Sequence, residues 1–146
     1  MRRLWEEHVR HEFATHNTEE TLATMVEDAY VNHIPVLTGG FGLDQLREFY
    51  SRRFIPQMPP DTEMAQVSRT VGENQLVDEM VFKFTHSIRM DWMLPGVAPT
   101  GKRVEVPLVA IVRSFAPPPG RASSRSRPMK AACEWSGMMC KSSLPL

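Results

Sequence analysis

The chain has 146 residues, so it forms one domain at most, with enough length to bury a core. Formal net charge is zero, and 42% apolar with 23% charged residues is ordinary for a folded chain, which excludes a basic nucleic-acid footprint overall and a disordered polyelectrolyte. The average hides a split: residues 1–113 hold 12 Lys and Arg against 16 Asp and Glu, whereas residues 114–146 hold 5 against one.

Leu4 to Ala14 reads as a helix, with Trp5, Val9 and Phe13 as an apolar stripe. No signal-peptide core follows Arg2 and Arg3, and no apolar run approaches the ~20 residues that cross a bilayer. A cytoplasmic protein without a membrane partner is therefore the expectation. His8, Glu12 and His16 recur every four residues beside the stripe. They span ~12 Å along the axis, too far for one metal ion without other ligands, so a solvated face is expected there. Asn17, with Glu20 three residues on, is a capping-box arrangement. It opens a second helix that carries Leu22, Met25, Val26 and Ala29 inward.

Tyr30 to Pro35 is a short extended segment, because Pro35 biases Ile34 away from helix. Thr38 to Gly42 is read as a loop. Its glycines do not make a phosphate loop: no Gly-Lys-Ser/Thr follows, and Gln45 stands where a dinucleotide fingerprint needs glycine. A third helix is expected from Asp44 to Phe54, with Leu46, Phe49, Tyr50 and Phe54 inward, stopped by Pro56, Pro59 and Pro60.

Three long strands follow, at Glu63–Val71, Gln75–Ser87 and Arg103–Arg113. The first two form a hairpin across Gly72–Asn74. On the second strand Asp78, Met80, Phe82, Phe84 and His86 share one face by the two-residue period. Two Phe and a Met, ended by a carboxylate and an imidazole, suit the wall of a small-molecule pocket. Asp78 and His86 lie about 26 Å apart at ~3.3 Å per residue, so they cannot form one dyad. Asp78 is expected to be salt-bridged or solvated. The third strand is nearly all apolar, which suggests burial on both faces, and Pro107 predicts a bulge or a non-bonded position in it. Helices first and a meander of strands after make an α+β chain, a curved antiparallel sheet packed on N-terminal helices.

The segments DAYVNHIP at 28–35, GGFG at 39–42, VDE at 77–79, FTH at 84–86, DWMLPG at 91–96, PTGK at 99–102 and VPL at 106–108 resemble the SnoaL-like branch of the nuclear-transport-factor-2-like superfamily. The resemblance covers residues 4–113 and implies a cone with a ligand pocket at its mouth. It also implies a small-molecule ligand, no cofactor or metal, and acid/base chemistry of the polyketide cyclase, isomerase or dehydratase (lyase) kind. Homodimers through the outer sheet face are common in such folds. Tyr30, His33, His86 and Asp91 are the candidate catalytic groups, with Tyr50, Met80, Phe82, Phe84 and Trp92 as candidate substrate-binding residues. A non-catalytic binding or dimerising module, or an inactive truncated variant, is the alternative.

Such relatives continue with at least one more long strand. Here Ser114 to Pro128 is rich in Pro, Ser and Arg instead. Residues 1–113 are thus expected to be an incomplete domain, and 114–146 a disordered tail from a shifted frame, a retained intron or an alternative terminus. Cys133 and Cys140 in that tail lack the spacing and histidines of a zinc site, and Arg121, Arg125, Arg127 and Lys130 are expected to be solvated.

Overall fold

The computed structural model describes residues 1–34, 36–114 and 131–135, the last of these as backbone only. Helix α1 spans Arg2–Phe13 and α2 Thr18–Ala23. Strands β1 (Tyr30–His33) and β2 (Thr38–Phe41) lead into α3 (Gly42–Phe49). The strands β3 (Glu63–Val71), β4 (Gln75–Thr85), β5 (Arg103–Ser114) and β6 (Ala131–Trp135) complete a six-stranded sheet in the order β2-β1-β6-β5-β4-β3. All neighbours are antiparallel except β1 and β6. This is the expected α+β architecture.

Asn17 caps α2 by accepting the Glu20 amide at 3.1 Å. The Glu20 carboxylate does not close the box; it pairs with His11 at 2.7 Å. The second helix is shorter than expected and ends at Ala23. The Thr24 hydroxyl donates back to the Thr21 carbonyl at 2.6 Å, a local bond that competes with continuing the helix. Leu22, Met25 and Ala29 are still buried, as the sequence expects. The third helix also changes character. After Phe49 the turns widen to a π-helix over Tyr50–Phe54, with the Ile55 amide bonded to the Tyr50 carbonyl, and tighten again at Ile55–Gln57. The widening keeps Leu46, Phe49, Tyr50 and Phe54 all in the core.

The expected loop at Thr38–Gly42 is instead the strand β2 followed by the start of α3. Gly39 and Gly40 are there for close approach. A Cβ on Gly39, at φ +139, would lie 2.0 Å from the Val31 carbonyl oxygen. Gly39→Ala is therefore expected to cost about 2–3 kcal/mol, by strain and loss of the β1–β2 ladder. Thermal unfolding followed by circular dichroism checks this, and an unchanged melting temperature contradicts it.

β3 spans the expected residues, with a bulge between Gln66 and Ser68 that leaves Val67 exposed. β4 and β5 pair without a shift from Gln75↔Arg113 to Thr85↔Arg103. Of the two alternatives expected at Pro107 the bulge is absent, since Pro107 faces Val81 in register, and the position without a bonded neighbour on its other side is the one found among the described residues. β6 pairs only with Ala110–Ser114, so among the described residues no strand lies on the far side of Pro107. An imino acid is tolerated at such an edge. Burial of β5 on both faces is corrected as well: Leu108, Ala110 and Val112 are buried, while Val109 and Ile111 are half-buried.

β6 lies inside the stretch read from sequence as a tail, where no strand is expected. Ala131–Trp135 contains no proline or arginine and is short. Average composition of the surrounding segment conceals it. Most of the expected tail, with Arg121, Arg125, Arg127, Lys130 and Cys140, lies outside the described residues or at their margin.

Candidate functional site

The two-residue period of β4 holds along its length. Leu76, Asp78, Met80, Phe82 and Phe84 are buried, and His86 just beyond the strand is buried too. α1 lies over this face: the Trp5 indole N–H donates to Asp78 Oδ2 at 2.8 Å, and Phe13 packs on Phe82 with ring centroids 6.0 Å apart.

β1 contributes His33 to the same interior. Its ring stacks on Phe54 at 5.8 Å and lies 5.4 Å from Phe49 and 5.3 Å from Trp92. Burial pushes the imidazole pKa down to about 4, against a small upward effect of hydrogen bonding to Thr38. His33 is therefore a neutral ring at neutral pH. A neutral imidazole has one N–H donor and one acceptor nitrogen; here Nδ1 is the donor towards Thr38, whose hydroxyl hydrogen goes to the Trp92 carbonyl, so Nε2 is the acceptor, suited to the hydroxyl of an enol.

Trp92 is held from two sides. The Thr38 hydroxyl donates to its carbonyl at 2.5 Å, and the adjacent Asp91 amide donates to Gln57 Oε1 at 2.8 Å. The indole packs on Phe54 at 4.7 Å and on Phe82 at 6.0 Å. The rings continue through Phe84, 5.1 Å from Phe82, to His86, 6.5 Å from Phe84. His33 and His86 thus stand at opposite ends of a chain of aromatic rings. His86 also pins the loop before β5: its carbonyl accepts the Thr100 and Gly101 amides at 3.1 and 2.9 Å. Its Nδ1 lies 3.3 Å from the Thr100 hydroxyl, and Nε2 has no hydrogen-bond partner among the described residues.

Other candidates are placed differently. Tyr30 is half-buried and three residues from His33, hence on the opposite face of β1. Asp91 is partly exposed, and Arg89 grips both its oxygens at 2.8 Å. Hydrogen bonding to Arg89, then to the Gly96 amide, holds its carboxyl below the usual range despite some desolvation. Tyr50 is buried, with its ring edge against Phe54, Phe49 and His8. Met80 is buried on the β4 face. Asp78 is salt-bridged, as expected, to Arg69 at 2.6 Å, and Arg69 reaches Glu6 at 2.8 Å.

The solvated face expected for His8 and Glu12 is overturned. Both side chains have zero exposure, and only His16 is on the surface. His8 Nε2 lies 3.0 Å from Glu12 Oε1, His8 Nδ1 lies 2.6 Å from the Thr24 hydroxyl, and the His8 ring stacks on Trp5 at 5.5 Å. The buried line of α1 runs through Trp5, His8 and Glu12, at offsets of three and seven. That offset is helical too, but polar residue type concealed it. Among the described residues no group of three or more His, Cys, Asp or Glu could hold a metal ion. No described helix is long and apolar enough to cross a membrane.

No family model matches the chain, and no curated protein matches it. Solved structures do. A protein named as a SnoaL-like polyketide cyclase from Jannaschia sp. CCS1 is similar over 92% of this chain and 85% of its own, with a TM-score of 0.63 and 17% identity. A protein with a ketosteroid isomerase-like fold from Catenulispora acidiphila, in complex with trimethylamine, matches over 92% and 84%, with a TM-score of 0.60 and 12% identity. TerC, co-crystallised with polyporic acid, matches over 92% and 88%, with a TM-score of 0.58 and 12% identity. The fold of this chain is accordingly the nuclear-transport-factor-2-like cone, in the form shared by SnoaL-like and ketosteroid isomerase-like proteins. Ketosteroid isomerase also illustrates how an apolar cone can tune an ionisable group.

Proposed function

We propose that the cone binds a small, largely apolar metabolite against the aromatic surface of Phe54, Phe82 and Trp92, and that His33 meets its polar atom. The chemistry assigned to it is cofactor-free acid/base catalysis of the isomerase, cyclase or dehydratase kind. The observation that carries this reading is His33 itself: an imidazole kept neutral by burial and surrounded by rings. The Thr38 hydroxyl spends its hydrogen on the Trp92 carbonyl, so Nδ1 carries the ring proton towards Thr38 and Nε2 is the acceptor, a base that can take a proton from a hydroxyl or an α-carbon. Ligand complexes of structural neighbours, with trimethylamine and with polyporic acid, support ligand binding by the fold.

Enolisation tests the catalytic part. 2-Tetralone incubated in heavy water exchanges its α-protons through the enol, which proton NMR follows directly. The expected result is an acceleration of about 100-fold or more over buffer, in line with general acid/base catalysis. His33→Phe should abolish it while leaving the stack on Phe54 intact. Exchange at the buffer rate, with the ketone nonetheless bound, would leave a non-catalytic binding module. The separation of His33 from His86 along the ring chain favours that second reading, because neither histidine reaches the other.

A further inference from the structure

The His8–Glu12 pair can be counted for protons. The Thr24 hydroxyl has one hydrogen, and it goes to the Thr21 carbonyl at 2.6 Å. His8 Nδ1, 2.6 Å from that hydroxyl oxygen, must therefore carry the proton in their hydrogen bond. The 3.0 Å bond between His8 Nε2 and Glu12 Oε1 then holds one further proton, whichever atom it rests on. Thr24 and Thr21 thus fix the tautomer, and His8 occupies one oxygen of Glu12. The other oxygen, Oε2, has no hydrogen-bond partner among the described residues, although Glu12 has zero exposure. A buried carboxyl oxygen without a donor has lost its hydration with nothing in return, so such an atom calls for a donor. Tyr50, a candidate lining residue, stands nearly perpendicular to the His8 ring with centroids 6.3 Å apart, and Phe13, next to Glu12, packs on Phe54 and Phe82. The pair therefore borders the aromatic core that His33 enters from the other side.

We propose that Glu12 Oε2 is the acceptor for a ligand hydroxyl of the phenol or enol class, with His8 and Thr24 as positioning residues. The proposal rests on the reading that the cone holds a small apolar ligand. It adds the second polar anchor of that ligand, across the rings from His33. A carboxyl already engaged on one oxygen discriminates by donor chemistry: a hydroxyl satisfies Oε2, while a hydrocarbon of the same shape leaves it bare.

Equilibrium dialysis of the full chain against 2-naphthol and naphthalene tests this. The expected result is that 2-naphthol binds at least about tenfold more tightly than naphthalene, the scale of a hydrogen bond to a buried charged or charge-sharing group. Glu12→Gln, which keeps an acceptor oxygen, should retain most of that preference. The double variant His8→Phe, Glu12→Leu should lose it and bind both probes within about threefold of each other. The double variant also guards against misfolding, since replacing both polar partners by apolar groups of similar size is tolerated in cores. A naphthol preference that survives in the double variant would overturn the role of Glu12 and leave the apolar-ligand reading standing. Equal binding of both probes to the unaltered chain would overturn it as well. Failure of both probes to bind would remove the ligand site altogether, and this proposal with it.

Discussion

Arg69→Ala is expected to lower the unfolding free energy by about 3–5 kcal/mol, the cost of removing one partner from a buried ion pair. Arg69 bonds Asp78 Oδ2 at 2.6 Å, and the two side chains are only 10% and 4% exposed. The same oxygen accepts the Trp5 indole N–H, so Asp78 ties β3 and α1 to the inner face of β4. Without the guanidinium, the carboxylate keeps one neutral donor and no counter-charge from β3. Glu6, the other carboxylate on Arg69, is half-exposed and hydrates, so its loss contributes little. Urea denaturation checks the figure. A loss below about 1 kcal/mol would mean that the pair behaves like an exposed one. In a double-mutant cycle with Asp78→Leu, the combined variant should be less destabilised than Arg69→Ala alone, because no unpaired charge then remains.

The second large effect is acid sensitivity set by His33. Its folded pKa of about 4 lies below the ordinary value of 6.5. Between these values the unfolded chain binds a proton that the folded chain refuses. Stability from this group is therefore fully present above pH 6.5 and is lost progressively as pH falls towards 4. The full span is worth about 3 kcal/mol at ~1.4 kcal/mol per pH unit. Phe49, Phe54 and Trp92 offer no charge that would offset an imidazolium. His33→Phe should flatten this part of the stability–pH curve while keeping the ring stack. Parallel urea melts from pH 7 to pH 4 read the difference, and curves of equal slope for the two proteins would contradict it.

Much of the sheet is legible in the chain. Period-two alternation places Asp78, Met80, Phe82, Phe84 and His86 on one face, and the structure buries all five. Turn residues at 72–74 fixed the β3–β4 hairpin. Elements decided by single hydrogen bonds were less legible. The end of α2 depends on where the Thr24 hydroxyl turns, and a helical pattern read by hydrophobicity does not contain that choice. The widened turn at Tyr50–Phe54 is a choice of the same kind. β2 was hidden because two glycines read as freedom when their function is close approach.

The candidate site divides along the same line. Trp92, Phe82 and Phe84 could be placed from apolar pattern and resemblance, and the structure brings them together. His8 and Glu12 could not, because a helix face of charged residues is usually wet. Only partners distant in sequence, Thr24 and Tyr50, make their burial tolerable.

Strand order has one further consequence. Among the described residues the hairpin β1–β2, which carries His33, joins the rest of the sheet only through β6, and in register only at His33↔Trp135. Five residues of the most atypical part of the chain are thus the keystone between two halves of the wall. Cutting the polypeptide after residue 130 would strip β1 of its inner neighbour and leave the imidazole to its ring partners and the short β1–β2 ladder. The geometry around His33 is consequently as durable as a strand that the sequence scarcely advertises.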